Sequence, residues 1–366
     1  MRRRFARLTF VGLALAFGVV PAVAADGYTV TDLGTLPGKA NSWVWQQTIN
    51  NGGLVAAYAN DVANPNAFAG DVPFLWNKGR ITVLPELPGA VDTIPFCLND
   101  SGQLVGSSQP TGDSFTQPVL WDRIVRSHAR RAWWRIQALG VLPGDNAGYA
   151  WAINNRRQAV GASCMFDLDA SSFVYHAVLW HKDRTFQLPP LPGGGMADQA
   201  WDINDRGQIV GCSGPAFGEE HAALWYKGTV TDLGLIGGDW AEAIVINDRG
   251  QVAGMAQIAS GDSHPFFWEK GAMSDLGVLG DDVFGAALDI NNKGQIVGAS
   301  GASIIDVTTS RAVLWANGVI VDLQTRIPAD TGWTLLAAAG INERGQITGY
   351  GIHDGQYRAF LLTPAR

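Results

Sequence analysis

Six aspartates recur at one phase of the chain: Asp92, Asp145, Asp198, Asp239, Asp281 and Asp330. Each falls shortly after a Leu-Pro-Gly-like segment, and aromatic residues accompany them: Trp43, Trp45, Tyr149, Trp151, Trp201, Trp240, Phe284 and Trp333. Carboxylates accept hydrogen bonds from hydroxyl groups, and rings stack on apolar sugar faces or over cations. That mixture suits a glycan or a cationic ligand. The set expected to bind is Asp145, Tyr149, Trp151, Asp198, Trp201, Asp239, Trp240 and Asp281. The competing assignment is structural, with Asp capping turns and Trp filling the wedge between sheets.

Other chemistries find less support. A repeated Asn-Asp-x-Gly has oxygen donors, but no distal Glu follows as a calcium loop requires. His176, His221 and His264 share one repeat position, which Arg311, Arg358 and Gln117 occupy elsewhere. Equivalent positions on packed sheets lie about 10 Å apart, whereas zinc ligands sit near 2 Å from the metal. Neither a metal nor a cofactor is expected. There is no Gly-x-Ser-x-Gly, no His-Glu-x-x-His and no phosphate-binding Gly loop. Cys97, Cys164 and Cys212 read as small buried residues. A hydrolase or lyase remains the alternative, since paired carboxylates about 5–9.5 Å apart would cleave glycosides.

What must position these side chains is a repeat. Ile203-Asn204-Asp205-Arg206-Gly207-Gln208-Ile209-Val210-Gly211 has relatives starting at Ile49, Leu98, Ile153, Ile246, Ile290 and Ile341. The phrase predicts strand, tight turn, strand, with Asn and Gly tolerating positive φ. The turn asparagines are 43 to 55 residues apart. Two further phrases fill each period: a strand ending in Leu-Trp, as in His221-Ala222-Ala223-Leu224-Trp225, and one carrying Asp-Leu-Gly, as in Val230 to Gly234. Four strands in 40-odd residues is the mark of a propeller blade. The expected fold class is therefore all-β: a single seven-bladed β-propeller of four-stranded blades over residues 25–366, closed by the N-terminal strand at Tyr28–Gly34. With the first strand of each blade, a, innermost, the variable b–c and d–a loops share one face, where binding usually lives.

At these phrases the chain resembles the secreted bacterial HAF-repeat proteins, named for His-Ala-Phe before Leu-Trp. The motif stands here as His-Ala-Val, His-Ala-Ala, His-Pro-Phe, Arg-Ala-Val and Arg-Ala-Phe, over roughly residues 28–362. The resemblance implies an extracytoplasmic repeat protein and carries over no catalytic residue. The a–b hairpin is also similar to the inner hairpin of kelch and NHL propellers.

Residues 1–24 read as a signal peptide: Arg2, Arg3, Arg4 and Arg7, an apolar Leu8 to Val20, then Ala22-Val23-Ala24. The expected location is extracellular or periplasmic, with no transmembrane segment. Of 26 basic residues four lie in that signal and none of the 33 acids does, so the remaining chain carries 22 − 33, or −11. Such a charge disfavours nucleic acid. The expectation is a monomeric, non-enzymatic binding module for a glycan or protein ligand, with a structural surface or matrix role as a further alternative. One basic insert, Asp122 to Ile136, carries Arg126, Arg130, Arg131, Trp133 and Trp134 and is the candidate second partner contact.

Overall fold

The computed structural model describes residues 27–62, 70–111, 115–124, 133–167, 172–303 and 307–365. The signal segment 1–24 lies outside the described residues, as do Arg126, Arg130 and Arg131 of the basic insert. Among the described residues no helix is long and apolar enough to cross a membrane.

The repeat builds antiparallel four-stranded sheets in which strands a to d pair in sequence order. Unit one is Asn41–Trp43, Val55–Asn60, Val72–Asn77 and Arg80–Val83; unit two begins at Ala90–Leu98, and its last strand is Trp133–Ala138. Unit three runs from Ala147–Ile153 to Arg184–Gln187, unit four from Gln199–Ile203 to Thr229–Gly234. Units five (Ala241–Ile246 to Ala272–Asp275) and six (Phe284–Ile290 to Val319–Asp322) join into one eight-stranded sheet through a single parallel pair, Ser263 with Phe284. Unit seven holds Trp333–Ile341, Ile347–His353 and Gln356–Pro364; its fourth strand is Tyr28–Asp32, paired from Tyr28 with Pro364 to Asp32 with Phe360.

The turn motif explains its own composition. In unit four the Asn204 Oδ1 accepts from the Arg206 and Gln208 backbone N–H groups, both at 3.0 Å. Its Nδ2 donates to Gln208 Oε1 at 2.9 Å and to the Asn247 carbonyl of the next unit at 3.0 Å. Gly207 takes φ +79°, a conformation that favours glycine. Every polar atom of the amide is used, which is why Asn and Gln recur together.

The same amide bond passes from unit to unit: Asn50 to Asn99, Asn99 to Asn154, Asn154 to Asn204, Asn204 to Asn247, Asn247 to Asn291, Asn291 to Asn342 and Asn342 back to Asn50. A second circuit runs beside it. The backbone N–H after each of these asparagines donates to a side-chain oxygen of the equivalent residue in the next unit, through Asn51, Asp100, Asn155, Asp205, Asp248, Asn292 and Glu343. The carboxylates of the Asn-Asp-x-Gly motif are thus spent on neighbouring backbone.

Four of the six tryptophans at the end of strand c staple adjacent units as well as filling space. Trp121 donates to the Pro85 carbonyl at 2.8 Å, Trp180 to Gly140 at 2.9 Å, Trp225 to Pro189 at 2.7 Å and Trp315 to Gly277 at 3.1 Å. In each case the acceptor follows strand d of the preceding unit. The rings lie in the apolar clusters between sheets, Trp180 and Trp225 with Ile153, Val160, Ile203 and Ile209. Each such ring, fully buried, contributes on the order of 2–3 kcal/mol.

A candidate ligand site along the central channel

The Asn ring surrounds a cavity of about 180 Å³ lined by residues of all seven units. Below the ring, Asp202 and Asp289 are buried in it, with Gln47 and Cys97 beside them. Asp202 accepts from the Ile203 N–H at 2.6 Å and from Ile246 of unit five at 2.7 Å. Asp289 accepts from Ile290 at 2.8 Å and from Ile341 of unit seven at 2.7 Å. Gln47, held at φ +52°, accepts from the Leu98 N–H of unit two through its carbonyl at 3.2 Å. Its side chain accepts from the Cys97 thiol at 3.4 Å and hydrogen-bonds Asp202 across the channel. Burial pushes both aspartates up to about 7, against the pull of their backbone donors. Burial, with Asp202 nearby, raises the Cys97 thiol further still, so it stays an unreactive thiol at neutral pH.

Along strand a, away from the Asn turn, aromatic residues gather, with Trp45, Tyr149 and Trp151 packed on the Trp43, Tyr58, Ile94 and Phe96 cluster. Strand a carries a register shift that bulges out one residue: Phe96 between Pro95 and Cys97, Trp151 between Ala150 and Ala152, and Trp201 between Ala200 and Asp202. A bulge re-aims a side chain. The Trp151 ring meets Phe96 of unit two at 4.6 Å and Trp201 of unit four at 4.8 Å between centroids. It stacks on Tyr149 at 5.2 Å and on Trp45 of unit one at 6.3 Å. A ring of unit three that touches unit one must reach past unit two, so these rings lie near the axis. Trp45, Tyr149, Trp151 and Trp201 are each partly exposed. The indole nitrogens of Trp151 and Trp201 are buried without a hydrogen-bond partner, the Trp201 indole having only the Cys212 thiol close by. Buried donors of this kind are rare.

The residues proposed from sequence divide accordingly. Tyr149, Trp151 and Trp201 come together in this layer. Asp145 and Asp198 do not join them in binding geometry; they clip strands. Ser163 Oγ donates to Asp145 at 2.6 Å and Ser213 Oγ to Asp198 at 2.6 Å, while the same hydroxyls accept from the Leu142 and Leu191 N–H groups. Burial raises the Asp198 carboxyl above the usual range. In unit six the equivalent clip is Asp282, bonded by Ser300 at 2.6 Å and by Arg311 at 2.7 Å, so Asp281 falls one residue out of phase and is exposed. Asp239 is exposed, and its N–H donates to Gln257 Oε1 at 3.0 Å; the Trp240 carbonyl accepts from the Gln257 N–H. In the basic insert Trp133 is exposed and Trp134 packs on the Leu54, Leu98 and Leu104 cluster.

The three histidines are far from forming a metal site: His221 meets Asp232 at 2.8 Å, His264 meets Asp275 at 2.9 Å and His176 meets Asp145 at 3.1 Å. In units four and five this joins the His of the strand-c motif to the Asp of Asp-Leu-Gly, whose other oxygen caps Gly234 or Gly277. Unit three has Gln187 in place of that Asp, and His176 turns to Asp145 instead. No cluster of three or more metal-ligating side chains exists among the described residues.

Sequence reasoning missed Asp202, Asp289, Gln47 and Phe96. The only signal was positional: Asp202 and Asp289 stand two residues before the turn Asn, where other units have Thr48, Cys97, Ala152, Val245 and Gly340.

The architecture is that of a β-propeller. The β-propeller domain of the Trilobed protease from Pyrococcus furiosus, described as having an open velcro topology, superposes with a TM-score of 0.53 at 10% identity, over 87% of this chain and 93% of that one. The acylaminoacyl peptidase of Pyrococcus horikoshii gives 0.51 at 14% identity, over 87% of this chain and 52% of the peptidase, about half its length. Both likenesses are of fold alone. No family profile matches the chain. No curated protein matches it either.

Proposed function

We propose that the protein is an exported, non-enzymatic binding module: one closed seven-bladed propeller whose aromatic channel end engages a glycan. Closure is supported by the amide circuit that returns from Asn342 to Asn50 and by the Tyr28–Asp32 strand completing unit seven. The observation that carries the binding role is the layer of Trp45, Tyr149, Trp151 and Trp201: partly exposed rings from three units, two of them with unpartnered indole donors. Flat rings take the apolar face of a sugar, and the indole N–H groups suit its ring and hydroxyl oxygens. Export and the HAF-repeat resemblance agree with a glycan-rich setting outside the cytoplasm. The second, protein-facing contact stays with the basic insert.

A glycan array probed with residues 25–366 tests this reading, followed by calorimetry of any hit with Trp151→Ala and by a turnover assay on the bound sugar. Binding lost in the variant, with no product formed, is the expected outcome. Turnover would establish the hydrolase alternative, and no glycan binding would remove the proposed role.

A further inference from the structure

Between units two and three, on the side of the a–b and c–d turns, a shallow cavity of about 20 Å³ has a basic wall. Arg157 comes from the a–b turn of unit three, and His181, Lys182 and Arg184 come from around its c–d turn. Units five and six form the same junction. There Gly294, Ala316, Asn317 and Val319 stand where unit three has Arg157, His181, Lys182 and Arg184, and the cavity is about 320 Å³. The junction therefore folds with no charge at any of these positions, and packing does not demand them in unit three. Arg157 is the plainest departure. The same place in the turn is glycine in the six other units, Gly53, Gly102, Gly207, Gly250, Gly294 and Gly345, at φ +73° to +80°. Arg157 holds φ +61°, a left-handed conformation that strains a residue with a Cβ, and such strain clusters at functional sites. Its Nη2 donates to Asp122 Oδ2 at 2.7 Å, but Asp122 also takes Gln103 Nε2 at 2.8 Å and Arg135 at 3.5 Å. Arg135, Arg157, Lys182 and Arg184 thus stand against two carboxylates, Asp122 and Asp183. Among the described residues Lys182 and Arg184 make no ion pair. The Arg184 guanidinium is held over the Phe186 ring at 4.9 Å. His181 Nδ1 is buried without a hydrogen-bond partner, which is rare.

We propose that this junction binds a tetrahedral oxyanion, a phosphate or sulfate group, with Arg157, Lys182 and Arg184 supplying the charge. The positive excess is local, because the chain after its signal carries −11. A cavity of this size admits about one oxygen-sized atom, and the rest of the group stays outside it among the basic side chains. Lys offers a point charge and Arg a planar fork. Several such donors around one point suit an ion with three or more oxygens, and charge-assisted hydrogen bonds are the strong ones. The site is independent of the glycan reading, since the aromatic rings lie along strand a, away from this turn.

Calorimetry and thermal melts at constant ionic strength test this, with inorganic phosphate, inorganic sulfate, glucose 6-phosphate and glucose 6-sulfate as probes and chloride as the reference. Phosphate or sulfate should bind and raise the melting temperature above the chloride value. The double variant Lys182→Ala with Arg184→Ala removes two exposed side chains. Arg157→Gly, made separately, installs the residue of the six other units. Each should weaken binding by at least about tenfold, the scale of one charge-assisted hydrogen bond, with circular dichroism unchanged. Unit one carries the same pair as Lys78 and Arg80 but has Gly53 in place of Arg157, so Lys78→Ala with Arg80→Ala should leave binding as it was. Tighter binding of an ester than of its inorganic ion supports the site and marks an esterified ligand, whereas equal affinity supports it as a site for the free ion. Phosphate and sulfate acting no differently from chloride overturn the proposal. Binding untouched by both unit-three variants, or weakened equally by the unit-one pair, also overturns it.

Discussion

Replacing Asn204 by Ala probes the circuit that organises the channel. The side chain makes four hydrogen bonds of 2.9–3.0 Å while buried at 5% exposure. At about 1 kcal/mol net for each bond, the loss is about 4 kcal/mol, and the Asn247 carbonyl is left short of its donor. The effect should appear as a lower urea midpoint with an unchanged slope, since the surface exposed on unfolding stays the same. The control is Arg206→Ala in the same turn, where an exposed side chain predicts a change within about 0.5 kcal/mol. A loss below about 1 kcal/mol for Asn204→Ala would show that the ring of amides is incidental to stability. The refutation would be sharpest if Arg206→Ala proved equally damaging, because the turn alone would then account for both.

Three further outcomes follow from the geometry. Asp202 and Asp289 are raised by burial from 3.8 to about 7, so between those values the folded protein holds protons that the unfolded chain has released. Stability should therefore fall as pH rises from about 4 to 7, by at most on the order of 4 kcal/mol per group at about 1.4 kcal/mol per unit, and Asp202→Asn with Asp289→Asn should flatten that slope; denaturant melts at pH 5 and 8 check it. Asp198→Ala should lower the melting temperature and leave glycan affinity unchanged, because the carboxylate holds Ser213 rather than ligand; the converse result would return Asp198 to the binding set. Deleting residues 25–36 removes the five-pair ladder on Gln356–Pro364 and exposes that strand as an edge, so size-exclusion chromatography should show aggregation, whereas a monomer as stable as the parent would contradict closure by the N-terminal strand.

The strand pattern was legible because the units repeat their turn chemistry: Asn, Gly and Gln are demanded locally by one Asx turn, and only Leu54 in place of Gln and Arg157 in place of Gly depart from it. The pairing of Tyr28–Asp32 with the last unit was legible too, since the chain begins with a d-type strand and ends after a c-type one. The bonds between units were not. That Asn204 reaches Asn247, or Trp225 reaches Pro189, depends on how neighbouring sheets are rotated, and a single unit carries no sign of it. The aspartate phase misled because two signals overlapped. Asp145, Asp198 and Asp282 answer to a serine nine residues after the turn Asn, at Ser163, Ser213 and Ser300. Asp281 and Asp239 belong to no such clip. The aromatic layer was half visible: Tyr149, Trp151 and Trp201 stood out by type, but Phe96 looked like an ordinary core residue until the bulge in strand a aimed it at the axis.

The central claim is that the rings at the channel end form the glycan site, and calorimetric titration of the best array glycan into the parent, Trp151→Ala and Trp151→Phe tests it most directly. Trp151 is the ring shared by all the others, in contact with Trp45, Phe96, Tyr149 and Trp201. Stacking contributes about 0.5–1.5 kcal/mol beyond area burial, and about 1.4 kcal/mol is tenfold in affinity, so Ala should weaken binding by roughly two- to tenfold from stacking alone and Phe should restore most of it, with circular dichroism unchanged. Equal affinity across all three proteins would contradict the account and leave these rings as packing.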